Sequence, residues 1–193
     1  MLYDSPVENT DFLAGARRET AASHGALEQR FAHLTSPTLT LESYRTTVQC
    51  FHAFYRPLEA QLARVNEYTS VLPSRPPKTA WLDEDIRYLH IEPVPGPEIR
   101  PLDSVAAAFG CMYVLEGATL GGQIIGRNLR ATLGIGPASG ARFFHGYGAE
   151  TGAEWKRLLA AFAAIPDEWH AEAVAASVRT FREFLAWSRV YLP

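Results

Sequence analysis

The segment GATLGGQIIG, residues 117–126, places four glycines inside what the neighbouring residues predict to be one long apolar helix, from about Ser104 to Leu133. Each glycine in a helix interior costs about 0.8–1.0 kcal/mol relative to alanine, so the four together cost roughly 3–4 kcal/mol. Because a domain is stable by only about 5–15 kcal/mol, this loss requires a structural reason. Either the helix kinks here, or another group approaches bare backbone that a β-carbon would block.

The glycines form two pairs at helical spacing. Gly117 and Gly121 are four residues apart, and so are Gly122 and Gly126. Since residues four apart lie above one another on a helix, the missing side chains line up as a flat strip on adjoining faces. A flat strip of backbone suits either another helix or a flat ligand, and the spacing alone does not choose between them.

The composition is that of one soluble globular domain. The chain has 193 residues, of which 47% are apolar and 20% charged, and this length supports a single sizeable core. A net charge of −3 with scattered Lys and Arg gives no indication of nucleic-acid binding. The two cysteines, Cys50 and Cys111, form neither a disulfide framework nor a zinc pattern. With no apolar signal region near the amino terminus and no long uninterrupted apolar run, we expect a cytoplasmic protein without a membrane segment.

The periodicity of the apolar residues predicts an all-α domain of six or seven helices. These helices begin near residues 13, 40, 79, 104, 151 and 167, and no alternating run is long enough for a strand. Thr40 is an expected N-cap, Thr79 is expected to cap the short third helix, and Thr151 with Glu154 matches a capping box. We expect residues 1–10 to form a flexible segment and residues 11–193 to form the helical domain.

His24 lies in the middle of an apolar stripe on the first predicted helix. A lone histidine at such a position is most often a buried core residue. No Cys, Asp or His set with metal-ligand spacing accompanies it, which disfavours a zinc or di-iron site. A single imidazole suits haem, because the porphyrin supplies four of the bonds of the iron. Glu28, one turn later, could orient the imidazole through Nδ1–H or could simply be a solvated charge. A haem between two helices explains both the histidine and the glycine strip.

Three segments of the chain resemble haem oxygenases of the bacterial type. Residues 113–125, YVLEGATLGGQII, resemble the distal-helix signature of that family, and residues 20–28, TAASHGALE, resemble the proximal segment whose histidine binds the iron. Residues 143–148, FFHGYG, resemble a third segment together with Trp155 and the preceding Thr-Gly pair. Their order and spacing agree over roughly residues 10–190. The resemblance is closest to the oxygenases that accompany bacterial phytochromes, and it implies a multihelical fold with haem between a proximal and a distal helix.

The resemblance also implies roles for particular residues. His24 would be the proximal iron ligand and Glu28 its hydrogen-bonding partner. Gly121 and Gly122 would be the distal backbone against the haem, with Gly117 one turn earlier, and these three glycines are the implied catalytic residues.

Further residues would contact the edge of the haem under the same resemblance. Arg17, two turns before His24, would pair with a haem propionate, and Lys156 or Arg157 could do the same from a later helix. For each of these cations a solvated surface charge is the alternative. Phe181 or Phe184 would pack on the haem edge, with ordinary core packing as the alternative.

One position departs from the family pattern. The animal enzymes carry a carboxylate immediately after the glycine that corresponds to Gly117, where it orders the distal waters, and this chain has Ala118 there. Several bacterial members also lack that carboxylate. Thr119, Gln123 and Glu116 are then the candidate anchors for the distal waters.

The implied reaction is the O₂-dependent opening of haem to biliverdin, CO and Fe²⁺, with haem as both substrate and cofactor. No nucleotide-binding signature is present, because the glycine segment does not follow a strand. We therefore expect electrons from a separate donor, such as a ferredoxin, a flavoprotein reductase or ascorbate. A bacteriophytochrome is the expected recipient of the biliverdin.

Two different functional classes also fit the sequence. The first is a haem carrier or sensor without turnover, which Ala118 favours. The second is a helical interaction module whose glycines merely permit close helix packing.

Overall fold

Seven α-helices and two short 3₁₀ turns account for the regular structure of the described chain. The structure is a computed structural model that describes residues 11–192. No strand occurs within these residues, so the all-α prediction is confirmed. The predicted segment 1–10 lies outside the described residues, and its boundary stays a prediction. The helices are α1 (Asp11–Arg30), α2 (Leu41–Thr69), α3 (Lys78–Tyr88), α4 (Val105–Leu133), α5 (Arg142–His145), α6 (Thr151–Ala163) and α7 (Asp167–Tyr191).

Several helix ends lie where the sequence predicts them. The Thr40 hydroxyl accepts the Ser43 N–H at 3.2 Å and caps α2. The Ser104 hydroxyl accepts the Ala107 N–H at 3.0 Å and caps α4. Gly134 ends α4 in the left-handed region, with a φ of 68°, where glycine is favoured over other residues. The glycine-rich helix therefore runs uninterrupted over its predicted length.

Two predicted caps are wrong, and tertiary contacts explain one of them. Thr79 lies inside α3, where its N–H and hydroxyl both donate to the Glu59 carboxylate at 3.0 and 2.9 Å. Thr151 is the first residue of α6, with helical φ and ψ of −53° and −42°, which an N-cap does not adopt. A 3₁₀ turn precedes it, and its hydroxyl donates to the Gly148 carbonyl at 2.9 Å.

The core forms where α7 packs against both α1 and α4 and where α2 packs on α3. Aromatic rings fill its centre: Phe184 stacks on Phe54 with centroids 4.3 Å apart and meets Phe51 edge-on at 5.0 Å. By length and composition α4 could cross a membrane, but 61% of its most apolar window is buried inside the protein. In this fold α4 is the central helix of the core.

The α1 region contacts α4 at two places, one on each side of the singled-out residues. Close to the start of α1, Phe12 contacts Tyr113 of α4 edge-on, with centroids 5.8 Å apart. Just beyond the end of α1, the carbonyls of Leu34 and Ser36 both accept from Asn128 Nδ2 of α4 at 2.9 Å. Within the described residues α1 and α4 share no other extensive contact. The middle parts of α1 and α4, which carry His24 and the glycine strip, lie between these two contacts, and we refer to the space between them as the slot.

Candidate functional site

The first glycine pair faces open space. A β-carbon built on Gly117 or on Gly121 would meet no described atom within 4 Å. Ile124 and Asn128 continue the same helical face at three- and four-residue spacing, and Ile124 is 55% exposed although it is apolar. This face of α4 thus presents bare backbone and one uncovered apolar side chain between the two points at which α4 meets the α1 region.

The second glycine pair has a different environment. A β-carbon on Gly122 would stand 2.9 Å from the Phe144 carbonyl oxygen, and one on Gly126 would stand 3.6 Å from it. These glycines allow the backbone of α5 to approach α4 closely. The two pairs therefore differ: Gly122 lies closely against the α5 backbone, with Gly126 at ordinary van der Waals distance from it, whereas Gly117 and Gly121 face open space.

His24 is an exposed residue of α1 and not a buried core histidine. Its side chain is 55% exposed, and its ring meets Phe181 of α7 edge-on with centroids 5.6 Å apart. The Nδ1 atom lies 3.6 Å from Glu28 Oε1, one turn along the helix, and this carboxylate is exposed as well. Because a neighbouring carboxylate can fix the tautomer of an imidazole, the pair leaves Nε2 as the natural ligand atom.

A cation and a phenol lie together near the amino-terminal end of the slot. Arg17 is an exposed residue of α1 two turns before His24, and Tyr113 lies on α4 one turn before Gly117. Burial raises the pKa of Tyr113, while the charge of Arg17 and a hydrogen bond with it act in the opposite direction. Arg17 of α1 and Tyr113 of α4 thus interact one turn before the bare strip.

The structure also distinguishes the paired candidates for the haem edge, Lys156 from Arg157 and Phe181 from Phe184. Arg157 donates from Nε and Nη2 to Glu154 at 2.9 and 2.8 Å, and from Nη2 to a backbone carbonyl of the α2–α3 loop at 2.8 Å. Lys156 lies on the exposed face of α6, and no contact within the described residues brings it to the slot. Phe184 is stacked within the core, so Phe181 is the phenylalanine that contacts His24.

The described residues offer no multi-ligand metal site. No group of three or more His, Cys, Asp or Glu side chains within residues 11–192 could hold a metal ion. Cys50 and Cys111 are both buried as free thiols. A metal at His24 would therefore need most of its ligands from a bound group, and a flat macrocycle against bare backbone meets that requirement.

Glu116, the residue that precedes Gly117, belongs to a buried ion cluster that the sequence did not predict. The Glu116 carboxylate is fully buried and contacts Lys78 Nζ at 2.9 Å, Arg75 Nη1 at 3.2 Å and the Tyr147 hydroxyl at 3.1 Å. Burial lowers the pKa of Lys78 to about 8, and the nearby carboxylate opposes that change. A lone charge within the apolar run VLEG was the available signal, since a charge is rarely buried without partners.

The three candidate water anchors are all engaged by other parts of the protein. Thr119 accepts a hydrogen bond from Lys78 Nζ at 3.1 Å, and Gln123 donates to the Gly148 carbonyl at 3.3 Å. Glu116 belongs to the buried cluster behind the helix. Ala118 is exposed beside the glycine strip and supplies no polar group.

Comparisons with known proteins find similarity at the level of structure. No family model matches the sequence, and a search of curated proteins finds no match. The NO- and CO-bound heme oxygenase from Neisseria meningitidis has a TM-score of 0.78 at 19% identity, over 93% of this chain and 91% of that chain. The heme oxygenase from Leptospira interrogans has a TM-score of 0.72 at 17% identity, over 93% and 98% of the two chains. Heme oxygenase-1 from the cyanobacterium Synechocystis, in complex with heme, has a TM-score of 0.65 at 16% identity, over 94% and 92%. Likeness at these identities is evidence of architecture, and this chain therefore has the haem oxygenase fold.

Proposed function

We propose that this protein is a haem oxygenase, which opens haem to biliverdin, CO and Fe²⁺ with O₂ and external electrons. The observations that carry the proposal are the exposed imidazole of His24 on α1 and the bare strip of Gly117 and Gly121 on α4. α4 contacts the α1 region on either side of these residues, at Tyr113 and at Asn128. A planar substrate can lie flat against such a strip, because no side chain keeps it from the backbone.

The proximal side of the substrate would be held by three residues. His24 would bind the haem iron, and Glu28 would accept a hydrogen bond from Nδ1–H and so orient the ring. The Phe181 ring, already edge-on to the imidazole at 5.6 Å, would restrict its rotation and cover the adjoining apolar surface. Glu28 and Phe181 would thus hold the imidazole of His24 in place before the substrate binds.

The distal side would be formed mainly by backbone. Gly117 and Gly121 would leave room for O₂ beside the substrate, and Gly122 lets the backbone of α5 approach the helix closely. Bound haem supplies the iron centre at which O₂ is reduced. Ala118 offers no carboxylate, so protons would reach this side through solvent held by other groups. Arg17, beside Tyr113, would pair with a propionate of the substrate, and Lys156 is a weaker candidate for the same role.

The remaining parts of the proposal concern partners and location. The electrons would come from a separate donor, such as a ferredoxin, a flavoprotein reductase or ascorbate. We propose a cytoplasmic setting and a bacteriophytochrome as recipient of the biliverdin. The sequence resemblance supports these partners, together with the division of the chain into residues 1–10 and a helical domain of residues 11–193.

Haemin titration followed by product analysis tests the proposal. We expect a Soret band at one equivalent of haemin and, with ascorbate in air, a chromatographic product identical to biliverdin. His24→Ala should shift the Soret band and abolish turnover, and added imidazole should restore part of it. His145→Ala, which removes another exposed histidine, is the matched control.

The same experiment distinguishes the three functional classes. A Soret band without bilin would identify a carrier or sensor, and no Soret band would favour an interaction module. Gly121→Leu should block haem or O₂ while the apoprotein stays folded, because open space surrounds that position. Unfolding of this variant would contradict the assignment of the strip to a ligand.

A further inference from the structure

A buried cluster of four charges lies behind the bare strip of α4. The cluster consists of Glu59, Arg75, Lys78 and Glu116, whose side chains are all at most 8% exposed. Arg75 Nη1 lies between the two carboxylates, at 2.7 Å from Glu59 and 3.2 Å from Glu116. Two positive and two negative charges thus balance inside the protein.

The cluster joins several segments of the chain to one point on α4. Glu59 of α2 accepts the backbone N–H of Lys78 at 2.9 Å, which fixes the start of α3. Lys78 Nζ then binds both Glu116 at 2.9 Å and Thr119 at 3.1 Å, and Tyr147, which follows α5, donates to Glu116 at 3.1 Å. The contacts of Lys78, Tyr147 and Arg75 therefore all fall on residues 116–119, at the start of the glycine segment.

Such a cluster is a costly way to stabilise a core. Burying a charge requires that its hydration be replaced, and apolar residues of similar size often stabilise a core as well or better. An ion cluster can instead fix the relative positions of the segments that it joins, because each contact specifies a distance and an angle. Glu116 Oε1 lies 3.2 Å from Arg75 Nη1, and among the described residues this ion pair is its contact to a cation without a hydrogen bond of good geometry.

The orientation of α4 at the bare strip has to be fixed by contacts on its other faces. A helix is normally oriented by the side chains of the face that it buries, and the slot face of α4 has none at Gly117 and Gly121. The orientation of this segment must therefore be set from the opposite side. Glu116 and Thr119 lie on that side, as does Gly122 against the α5 backbone.

We propose that Lys78, Arg75 and Tyr147, acting through Glu116, are positioning residues that set how the bare strip faces the slot. The functional part of this inference rests on the proposed haem oxygenase activity. The structural part concerns the apoprotein and can be tested without haem.

Hydrogen exchange of the apoprotein tests the structural part. Tyr147→Phe and Thr119→Val each remove one hydrogen bond of the cluster with little change of shape, and Lys78→Met removes its central cation. We expect amides of residues 113–126 to exchange at least about tenfold faster in each folded variant, while those of α7 stay unchanged. Tyr191→Phe, which removes a comparable phenolic hydrogen bond to Gln49, should leave residues 113–126 unaffected. Unchanged exchange in Tyr147→Phe and Thr119→Val would overturn the inference.

The C–O stretching frequency of the ferrous CO complex tests the functional part. We expect it to shift or broaden in Tyr147→Phe and Thr119→Val, but not in Tyr191→Phe, because a displaced strip changes the surroundings of the bound diatomic. A wild-type protein that binds no haem would overturn the proposed function, and the exchange experiment would still decide the positioning role. Normal haem binding with an unchanged frequency in both cluster variants would overturn the positioning role in function.

Discussion

The Phe144 carbonyl oxygen lies 2.9 Å from the place where a β-carbon on Gly122 would stand, whereas the neighbouring Gly121 has no described atom within 4 Å of that place. Two adjacent glycines of one helix thus have different structural surroundings. Gly122 admits the backbone of α5, and Gly121 leaves open the slot that we assign to haem.

Alanine at these two positions should have opposite effects on stability. Gly121→Ala should raise the free energy of unfolding of the apoprotein by about 0.5–1 kcal/mol, because alanine favours the helix and nothing blocks its methyl group. Gly122→Ala should lower it by about 1–3 kcal/mol, because the methyl group meets backbone that must move. Urea unfolding of both variants measures the difference. A destabilised Gly121→Ala would contradict the open slot.

The buried ion cluster predicts strong coupling between Lys78 and Glu116. Lys78→Met leaves a buried carboxylate short of one partner and should lower the free energy of unfolding by about 3–5 kcal/mol. The double variant Lys78→Met/Glu116→Gln removes both charges and should lose less than the sum of the single variants. The double-mutant cycle should give a coupling of about 1–3 kcal/mol by urea unfolding. Additive effects would show that the contact carries little energy.

Asp85 predicts a specific dependence of stability on pH. The fully buried carboxylate accepts the N–H groups of Arg142 and Phe143 at 2.6 and 2.9 Å, and burial raises its pKa from 3.8 to about 6. Between about pH 4 and pH 6 the folded protein therefore holds a proton that the unfolded chain has lost. The contribution of this group to stability is present below pH 4, falls by about 2–3 kcal/mol as pH rises to 6, and is constant above that.

The comparison of wild type with Asp85→Asn isolates this contribution. The difference in unfolding free energy between the two proteins should decrease as pH rises from about 4 to about 6. A flat difference for Asp85→Asn would mean that its carboxyl titrates normally in the fold.

Ile124 should contribute to haem affinity and not to the stability of the apoprotein. This side chain is 55% exposed and shares the face of the bare glycines, so Ile124→Asp should weaken haem binding about tenfold or more by removing apolar contact. Val190→Asp replaces another exposed apolar residue, 83% exposed, and should leave haem affinity unchanged. Haemin titration measures both. Equal affinities would place Ile124 outside the binding surface.

Glu28 should tune the iron ligand without stabilising the fold. Both side chains of the His24–Glu28 pair are exposed, so Glu28→Gln should change the unfolding free energy by less than about 1 kcal/mol. Haem affinity should fall roughly tenfold, and the iron–histidine stretching frequency of the ferrous complex should decrease, because the imidazole loses its charged partner. Glu19→Gln, at another exposed site of α1, should change neither. An unchanged frequency in Glu28→Gln would show that Glu28 is a solvated surface charge without influence on His24.

Local patterns predicted the helices well because helix formation depends mainly on nearby residues. The Ser104 cap and the left-handed Gly134 bound α4 close to its predicted ends, since cap chemistry acts over three or four residues. The predicted cap at Thr79 failed because a carboxylate from another helix, that of Glu59, binds its polar groups. Contacts between segments distant in sequence are not visible in local patterns.

The amino-acid sequence by itself determined the all-α class, the course of α4, a glycine strip at helical spacing and a single candidate iron ligand on another helix. Only the tertiary structure decided that Gly117 and Gly121 face a slot while Gly122 faces α5. It alone also brought Glu116 together with Arg75 and Lys78. The physical reason is that helical periodicity defines the faces of a helix from local spacing, whereas the partner of each face depends on how distant helices pack.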